Sequence, residues 1–146
     1  MDPVQMRMVQ SMRRQKGLTL VELMVVVAVM AIIATVAYPL YTAQVQKSRR
    51  ADAKIALEMV ASAQERFFTL NGTYAATLSS LNVSPDIQGG SSNEGFYDIS
   101  VARPAFDQFT VTADTDSGAA QSSDSGCAQF TLNQVGFKGA TSANCW

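Results

Sequence analysis

Residues 16–24 read KGLTLVELM and open an apolar run that continues to residue 41. Glu22 is the only charged residue among the 24 residues from 18 to 41. A helix of this length crosses the ~30 Å hydrocarbon core of a membrane. A carboxylate inside such a helix costs about 2.5–3.5 kcal/mol on insertion scales, so Glu22 is predicted to have a partner and a function.

Charge is distributed unevenly along the chain. Residues 1–17 carry four Arg and Lys against one Asp, a net charge of +3, and residues 71–146 carry two basic against seven acidic residues, a net charge of −5. A basic leader before an apolar run is typical of a segment that faces the anionic cytoplasmic side of a membrane. The acidic C-terminal half argues against nucleic acid as a main partner.

The apolar run also has the features of a secretory signal peptide, with small residues for cleavage near Ala37. The helical pattern nevertheless continues beyond that point, because apolar side chains recur on one face at Ala53, Ala56, Val60, Ala63, Phe67 and Leu70. Asn71-Gly72 then supplies a helix stop. The pattern predicts one helix of about 50 residues, with a kink at Pro39 inside it.

The C-terminal half alternates with a period of two, which is typical of half-buried β-strands. Apolar side chains share a face in runs at 97–101, 109–113 and 128–132, and the first two runs are separated by Pro104. Three antiparallel strands with one apolar face need a cover, which the helical stripe supplies. We therefore predict an α+β fold, a long N-terminal helix packed on a small antiparallel sheet.

The chain has two cysteines and no histidine. Cys127 and Cys145 follow a translocation-type segment, which favours a disulfide in an oxidising compartment over two free buried thiols. Without histidine, the chain lacks the usual general base, the Ser-His and Cys-His nucleophile pairs and the commonest metal ligand. We expect a protein that is not an enzyme and that holds no metal or cofactor.

The KGLTLVELM stretch resembles the prepilin motif of type IV pilins and type II secretion pseudopilins, in which a basic leader ends in glycine and a glutamate follows five residues after the cut. The resemblance implies cleavage between Gly17 and Leu18 by a prepilin peptidase and N-methylation of Leu18. It also implies that Glu22 docks onto the terminal amine of a neighbouring subunit. Most of the family has phenylalanine in place of Leu18, and leucine should be tolerated at this position because it is also apolar.

A looser similarity to type IVa minor pilins extends over RRADA at 49–53, ERFFTLNGTY at 65–74 and the ending Cys145-Trp146. In such pilins the last cysteine pair encloses a surface loop used in subunit contacts, and a proline at the position of Pro39 kinks the helix. The resemblance implies the pilin fold with a C-terminal disulfide loop.

The resemblance divides the chain into a leader peptide at 1–17, a membrane and filament-core helix at 18–41, and a head at 42–146 that includes the amphipathic helix to about residue 70. It implies a structural subunit, most similar to a minor pilin, of a type IV pilus that serves twitching motility, adhesion or DNA uptake. Its implied partners are other pilins, the prepilin peptidase, the inner-membrane assembly platform and membrane lipid before assembly. Its implied location is the inner membrane, with the head in the periplasm, and then the surface pilus.

Three other interpretations remain. A DNA-receptor pilin would need a basic head, which the net charge of −5 over residues 71–146 disfavours. A type II secretion pseudopilin shares the N-terminal motif but usually lacks a C-terminal disulfide. A secreted binding domain with an ordinary signal peptide would begin near Tyr38 instead of Leu18.

A basic cluster follows the apolar run, at Lys47, Arg49, Arg50 and Lys54. Such a cluster contacts lipid headgroups, DNA or acidic neighbouring heads, or it is a solvated helix face with Asp52 and Glu58 as nearby counter-charges. The sequence leaves these alternatives open.

Overall fold

A computed structural model describes residues 17–115 and 121–146 of the chain. It divides the chain into two units, Met1–Pro39 and Leu40–Trp146. The predicted long helix is confirmed as α1 (Leu20–Asn71), which has 52 residues and contributes to both units. Gly72 follows α1 with a φ of 70°, a left-handed value that glycine adopts without strain, so the predicted stop at Asn71-Gly72 is also confirmed.

The second unit contains a short helix, α2, and four described strands that form one antiparallel sheet in the order β1-β2-β3-β4. The bounds are α2 (Pro85–Gln88), β1 (Tyr97–Ala105), β2 (Gln108–Thr115), β3 (Gln129–Asn133) and β4 (Lys138–Ala140). Short 3₁₀ helices occupy Leu78–Ser80, Ser125–Cys127 and Ala143–Cys145. The predicted α+β class is therefore confirmed.

Two details of the strand prediction are wrong. A fourth strand, β4, extends the sheet although its three residues show no apolar alternation. Pro104 lies inside β1 instead of ending it, because β1 is an edge strand and its register shifts between Ala102 and Ala105. Proline has no backbone N–H, so an edge or irregular position is where a sheet tolerates it.

One buried cluster joins the helical stripe to the inner face of the sheet. Its largest fully buried side chains include Tyr97, Phe109 and Phe130, and its helical members are Ala53, Ala56, Leu57, Val60 and Ala63. The predicted stripe is confirmed from Ala53 to Ala63, and Phe67 is partly buried against the same core. It is wrong at Leu70, which is 85% exposed because the head does not cover that side of the last turn of α1.

Gln64 fixes the chain that follows α1. Its side-chain amide is fully buried and makes two hydrogen bonds to Ala75: Nε2 donates to the Ala75 carbonyl oxygen at 2.9 Å, and the Ala75 N–H donates to Oε1 at 2.8 Å. A buried amide satisfied on both atoms costs little to desolvate and specifies one position for its partner. The contact therefore ties residue 75 to the helix eleven residues earlier.

The predicted disulfide is present between Cys127 and Cys145, whose Cα atoms lie 5.6 Å apart. Both cysteines are buried. The bond encloses β3 and β4 and holds the end of the chain against the sheet. There the Trp146 indole Nε1 donates to the Gly139 carbonyl oxygen at 2.6 Å, and the Trp146 ring packs edge-on against Phe130 at 5.8 Å.

Candidate functional site

The described residues of the first unit present an entirely exposed apolar surface. Every residue from 17 to 39 is exposed, and the large apolar side chains among them are between 50% and 76% exposed. The helix that contains them is the one described helix long and apolar enough to cross a membrane. Contiguous apolar surface of this extent marks a segment that contacts lipid or another protein.

Glu22 lies in the first turn of α1, three residues after Thr19, the residue that precedes the helix. The Glu22 N–H donates to Thr19 Oγ1 at 3.2 Å, and the Leu23 N–H donates to the Thr19 carbonyl oxygen at 3.1 Å. This is one half of a capping box, in which threonine at the cap and glutamate three residues later support each other. A carboxylate is also favourable near the positive end of the helix dipole. Thr19 thus caps α1 through the backbone of Glu22, a role that the sequence analysis missed although the Thr-x-x-Glu spacing signals it.

The carboxylate of Glu22 is exposed and makes no ion pair with the residues of 17–115 or 121–146. Its backbone N–H supplies the capping bond, so the charge itself stays unmatched within this part of the chain. An unmatched charge on an apolar surface is costly once that surface enters lipid. The arrangement can therefore accept a cation supplied by another molecule.

Gly17 and Leu18 lie immediately before α1, and both are exposed. A Cβ added to Gly17 would meet no atom within 4 Å, and its φ is not in the left-handed region. Neither local packing nor backbone conformation therefore explains a glycine at this position. Pro39 lies inside the bounds of α1, and the kink there stays a prediction.

The four cations of the basic cluster have separate surroundings. Arg50 forms a two-bond ion pair with Asp124, from Nε to Oδ2 at 2.7 Å and from Nη2 to Oδ1 at 2.9 Å. Gln121 Nε2 also donates to Asp124, at 2.8 Å. The Asp124 side chain is only 6% exposed. Burial of the Tyr97 hydroxyl raises its pKa to about 12. Arg50 is therefore a structural residue of the head, paired in a partly dry environment.

Arg49 lies over the Phe96 ring, with its guanidinium carbon 4.7 Å from the ring centre. Both residues line an open cleft of about 350 Å³ together with Asp52. Asp52 is 8% exposed and accepts a hydrogen bond from the Glu94 N–H at 3.3 Å. Of the alternatives left open for the cluster, Asp52 does not fit the solvated counter-charge, because its carboxylate is buried under the loop that leads to β1.

Lys54 and Lys138 both lie close to the ring of Trp146. Their ammonium nitrogens are 5.8 Å and 4.6 Å from the centre of the Trp146 ring, within the range of cation–π attraction. Lys138 also pairs with Glu58 at 3.2 Å, so Glu58 neutralises a strand residue that the sequence analysis did not single out. No periodicity points to Lys138, since β4 is too short to show one.

The comparisons with known proteins cover both units. Residues 12–38 match the model of the prokaryotic N-terminal methylation motif. Residues 39–131 match the model described as type IV minor pilin ComP, DNA uptake sequence receptor. The chain belongs to the type IV pilin family. The match to a pilin model across the head, and not only at the N-terminal motif, supports a pilin over a secreted domain behind an ordinary signal peptide.

This pilin has a curated relative in the type IV major pilin protein PilA of Myxococcus xanthus, with 33% identity over 73 residues. The aligned part covers 50% of this pilin and 33% of that protein, so the chain spans about a third of the curated relative. Because so little of that protein is covered, its partners and activity do not transfer directly.

Two solved structures share the pilin fold. A type IV pilin from Shewanella oneidensis is 27% identical, with 69% of this chain and 97% of that chain covered at a TM-score of 0.50. The non-core minor pilin PilV of Neisseria meningitidis is 20% identical, with 69% and 91% covered at a TM-score of 0.50, a likeness that concerns the fold alone.

Proposed function

We propose that this pilin is a minor subunit of a type IV pilus that is held in the inner membrane, cleaved after Gly17, methylated at Leu18 and drawn into the filament by Glu22. The observation that carries the proposal is the exposed apolar segment with one unmatched carboxylate near its start. Pilins are structural proteins, and the chain acts by assembling with other pilins.

Cleavage between Gly17 and Leu18 would create a cationic amine four residues from Glu22 while the apolar helix stays attached. In lipid the carboxylate of Glu22 is costly, and pairing with the amine of a neighbouring subunit removes most of that cost. The same pairing fixes the axial position of the incoming helix. Apolar faces of adjacent helices then replace lipid contacts with protein contacts.

A Gly17→Val variant is expected to accumulate as full-length precursor in the membrane. A branched side chain at this position obstructs the close approach of the backbone to a protease site, whereas it disturbs no described packing around Gly17. Immunoblotting for the 17-residue mass difference, with mass spectrometry of the N-terminus, measures the result.

Gln15→Val, which places the same side chain two residues earlier, is the matched control and is expected to mature normally. Normal maturation of Gly17→Val would show that cleavage does not depend on this glycine. A mature N-terminus near Tyr38 would instead indicate ordinary signal peptide cleavage.

A second candidate function is DNA capture, because the model matched by residues 39–131 is described as a DNA uptake sequence receptor. The charge of the head opposes it: residues 42–146 carry seven basic and ten acidic residues, a net charge of −3. Affinity for DNA depends on neutralising phosphates and falls steeply with salt.

We expect full-length mature pilin in detergent to bind a labelled DNA duplex only at the non-specific level, about 10⁻⁴–10⁻⁶ M at physiological salt. Fluorescence anisotropy at two salt concentrations measures it. A dissociation constant below about 10⁻⁷ M for one duplex sequence, together with much weaker binding of a scrambled duplex, would establish the receptor function.

A further inference from the structure

The open cleft beside Arg49 is lined by charges of both signs. We call it the Arg49 cleft and define it by Arg49, Asp52, Glu94 and Phe96, four residues that line its volume of about 350 Å³. Two carboxylates and one guanidinium therefore border one small space at the surface of the head. A ligand that carries both an anionic and a cationic group fits such a lining better than a simple ion does.

Asp52 is the buried member of this set, and its carboxylate is incompletely paired. It is 8% exposed, its Oδ1 accepts a hydrogen bond from the Glu94 N–H at 3.3 Å, and its Oδ2 has no hydrogen-bond partner among the described residues. A buried carboxylate is costly unless a cation or hydrogen-bond donors offset its charge. The negative charge at this position therefore gains from a cation supplied by another molecule.

Arg49 and Glu94 are the two charged residues of the cleft that solvent reaches. Arg49 is half-buried with its guanidinium over the Phe96 ring, and Glu94 is exposed. Neither forms an ion pair within the described parts of the chain. A guanidinium over a ring keeps N–H groups free at its edge, and these bind phosphate oxygens in pairs. The cleft thus offers donors for a phosphate and, at Glu94, an acceptor for an ammonium group.

The place of the cleft along α1 favours a membrane lipid as the source of this ligand. Arg49 is eight residues after Tyr41, the end of the apolar run, which is about 12 Å along a helix. The headgroup layer outside the hydrocarbon core is about 5–8 Å thick, and a long arginine side chain extends toward it from its backbone position. Lipid headgroups are therefore the phosphate-bearing molecules nearest to Arg49 while the apolar run is in a membrane.

We infer that the Arg49 cleft binds the headgroup of an aminophospholipid, a phosphate joined by two carbons to a primary ammonium, as in phosphatidylethanolamine. The inference rests on the membrane residence that the proposed function includes. The phosphate pairs with Arg49, and the ammonium donates to Glu94 and offsets part of the Asp52 charge. Occupancy holds the head against the membrane surface before assembly, and the lipid leaves the cleft when the subunit leaves the membrane.

Native mass spectrometry of the full chain in detergent tests the inference with three lipids of equal acyl chains and equal concentration. Phosphatidylethanolamine has both recognised groups, phosphatidylcholine has a quaternary ammonium that donates no hydrogen bond, and phosphatidylglycerol has no ammonium. We expect adducts of phosphatidylethanolamine to exceed those of phosphatidylcholine about tenfold, as for the loss of charge-assisted hydrogen bonds. Soluble O-phosphoethanolamine, which has the same charges without acyl chains, is expected to displace the lipid only in large excess.

Two variants assign the preference to the cleft. Glu94→Gln removes the charge that accepts from the ammonium, and Arg49→Gln removes the partner of the phosphate, so each is expected to lower the phosphatidylethanolamine adducts about tenfold. Glu94→Gln keeps the backbone N–H that donates to Asp52, so the loop stays in place. Glu58→Gln and Arg66→Gln make the same changes at exposed positions of α1 outside the cleft and are expected to leave the adducts unchanged.

Each other outcome overturns the inference. Equal adducts of phosphatidylethanolamine and phosphatidylcholine show that the ammonium is not recognised, and an excess of phosphatidylglycerol shows attraction of anionic lipid by the basic cluster instead. A preference that persists in either Glu94→Gln or Arg49→Gln places the lipid on another part of the chain. Displacement by an equimolar amount of O-phosphoethanolamine identifies a free zwitterion as the ligand. The measurement needs no filaments, so absence of the chain from sheared filaments refutes the proposed filament function alone.

Discussion

A Glu22→Ala variant is expected to insert into the membrane and to be cleaved at the parental level, yet to reach filaments at about a tenth of that level or less. The carboxylate is unmatched within the described chain, so removing it eases residence in lipid while removing the group that pairs with a neighbouring amine. Immunoblots of the membrane and sheared-filament fractions measure both effects. A parental amount in filaments would show that this carboxylate does not dock the subunit.

The capping bond between Thr19 and Glu22 makes a sharper control possible. Glutamine replaces glutamate in capping boxes, so Glu22→Gln keeps the helix start and removes only the charge. We expect it to behave like Glu22→Ala, whereas Glu22→Asp, which keeps the charge with a shorter reach, is expected to be intermediate. Thr19→Ala removes the cap and keeps the charge, and it is expected to assemble nearly normally. Assembly of Glu22→Gln at the parental level would show that docking does not need the charge of Glu22.

The second large effect is expected in the head, where Asp124→Ala should lower the free energy of unfolding by about 3 kcal/mol. The substitution leaves the Arg50 guanidinium partly buried without its anion and removes one of the two acceptors of Gln121 Nε2, the other being the Gln46 carbonyl oxygen. We place the loss at the low end for buried pairs because Arg50 is 21% exposed. Denaturant unfolding of the mature pilin in detergent, followed by fluorescence of Trp146, the one tryptophan, measures it.

Two variants isolate the cause of that loss. Replacing both partners, as Arg50→Met with Asp124→Leu, is expected to recover most of the stability, because no uncompensated charge remains. Asp86→Ala removes an exposed carboxylate and is expected to change the free energy of unfolding by less than about 0.5 kcal/mol. A loss below that value for Asp124→Ala would show that the ion pair contributes nothing to the fold.

The sequence predicts those parts of the fold that repeat a pattern. The spacing of Ala53, Ala56 and Val60 identifies the buried helix face, and the alternation around Ile99 and Val111 identifies two strands, because each pattern follows from backbone geometry. β4 escapes prediction since three residues show no period, and its pairing with β3 depends on the turn between them. Leu70 continues the helical pattern but is exposed. Periodicity marks the apolar face of a helix and does not show how far along that face the sheet extends.

The candidate site likewise has residues that the sequence locates and residues whose contacts only the fold reveals. Gly17, Leu18 and Glu22 are local in sequence, so one motif locates all three. Arg49 and Arg50 are adjacent in sequence, yet one stacks on Phe96 and the other pairs with Asp124, 74 residues away. No local spacing distinguishes the two arginines, because consecutive helical residues point about 100° apart and only the folded head decides what each one meets.

The disulfide limits how far the head can extend when a pulling force acts on it. Cys127 and Cys145 are separated by 18 positions, a segment that would otherwise extend by about 60 Å when pulled straight. Because the covalent link closes this segment, pulling on the head cannot release that length. β3 and β4 therefore remain in one covalent ring even when force breaks the hydrogen bonds of the sheet, and these two strands stay close enough to pair again.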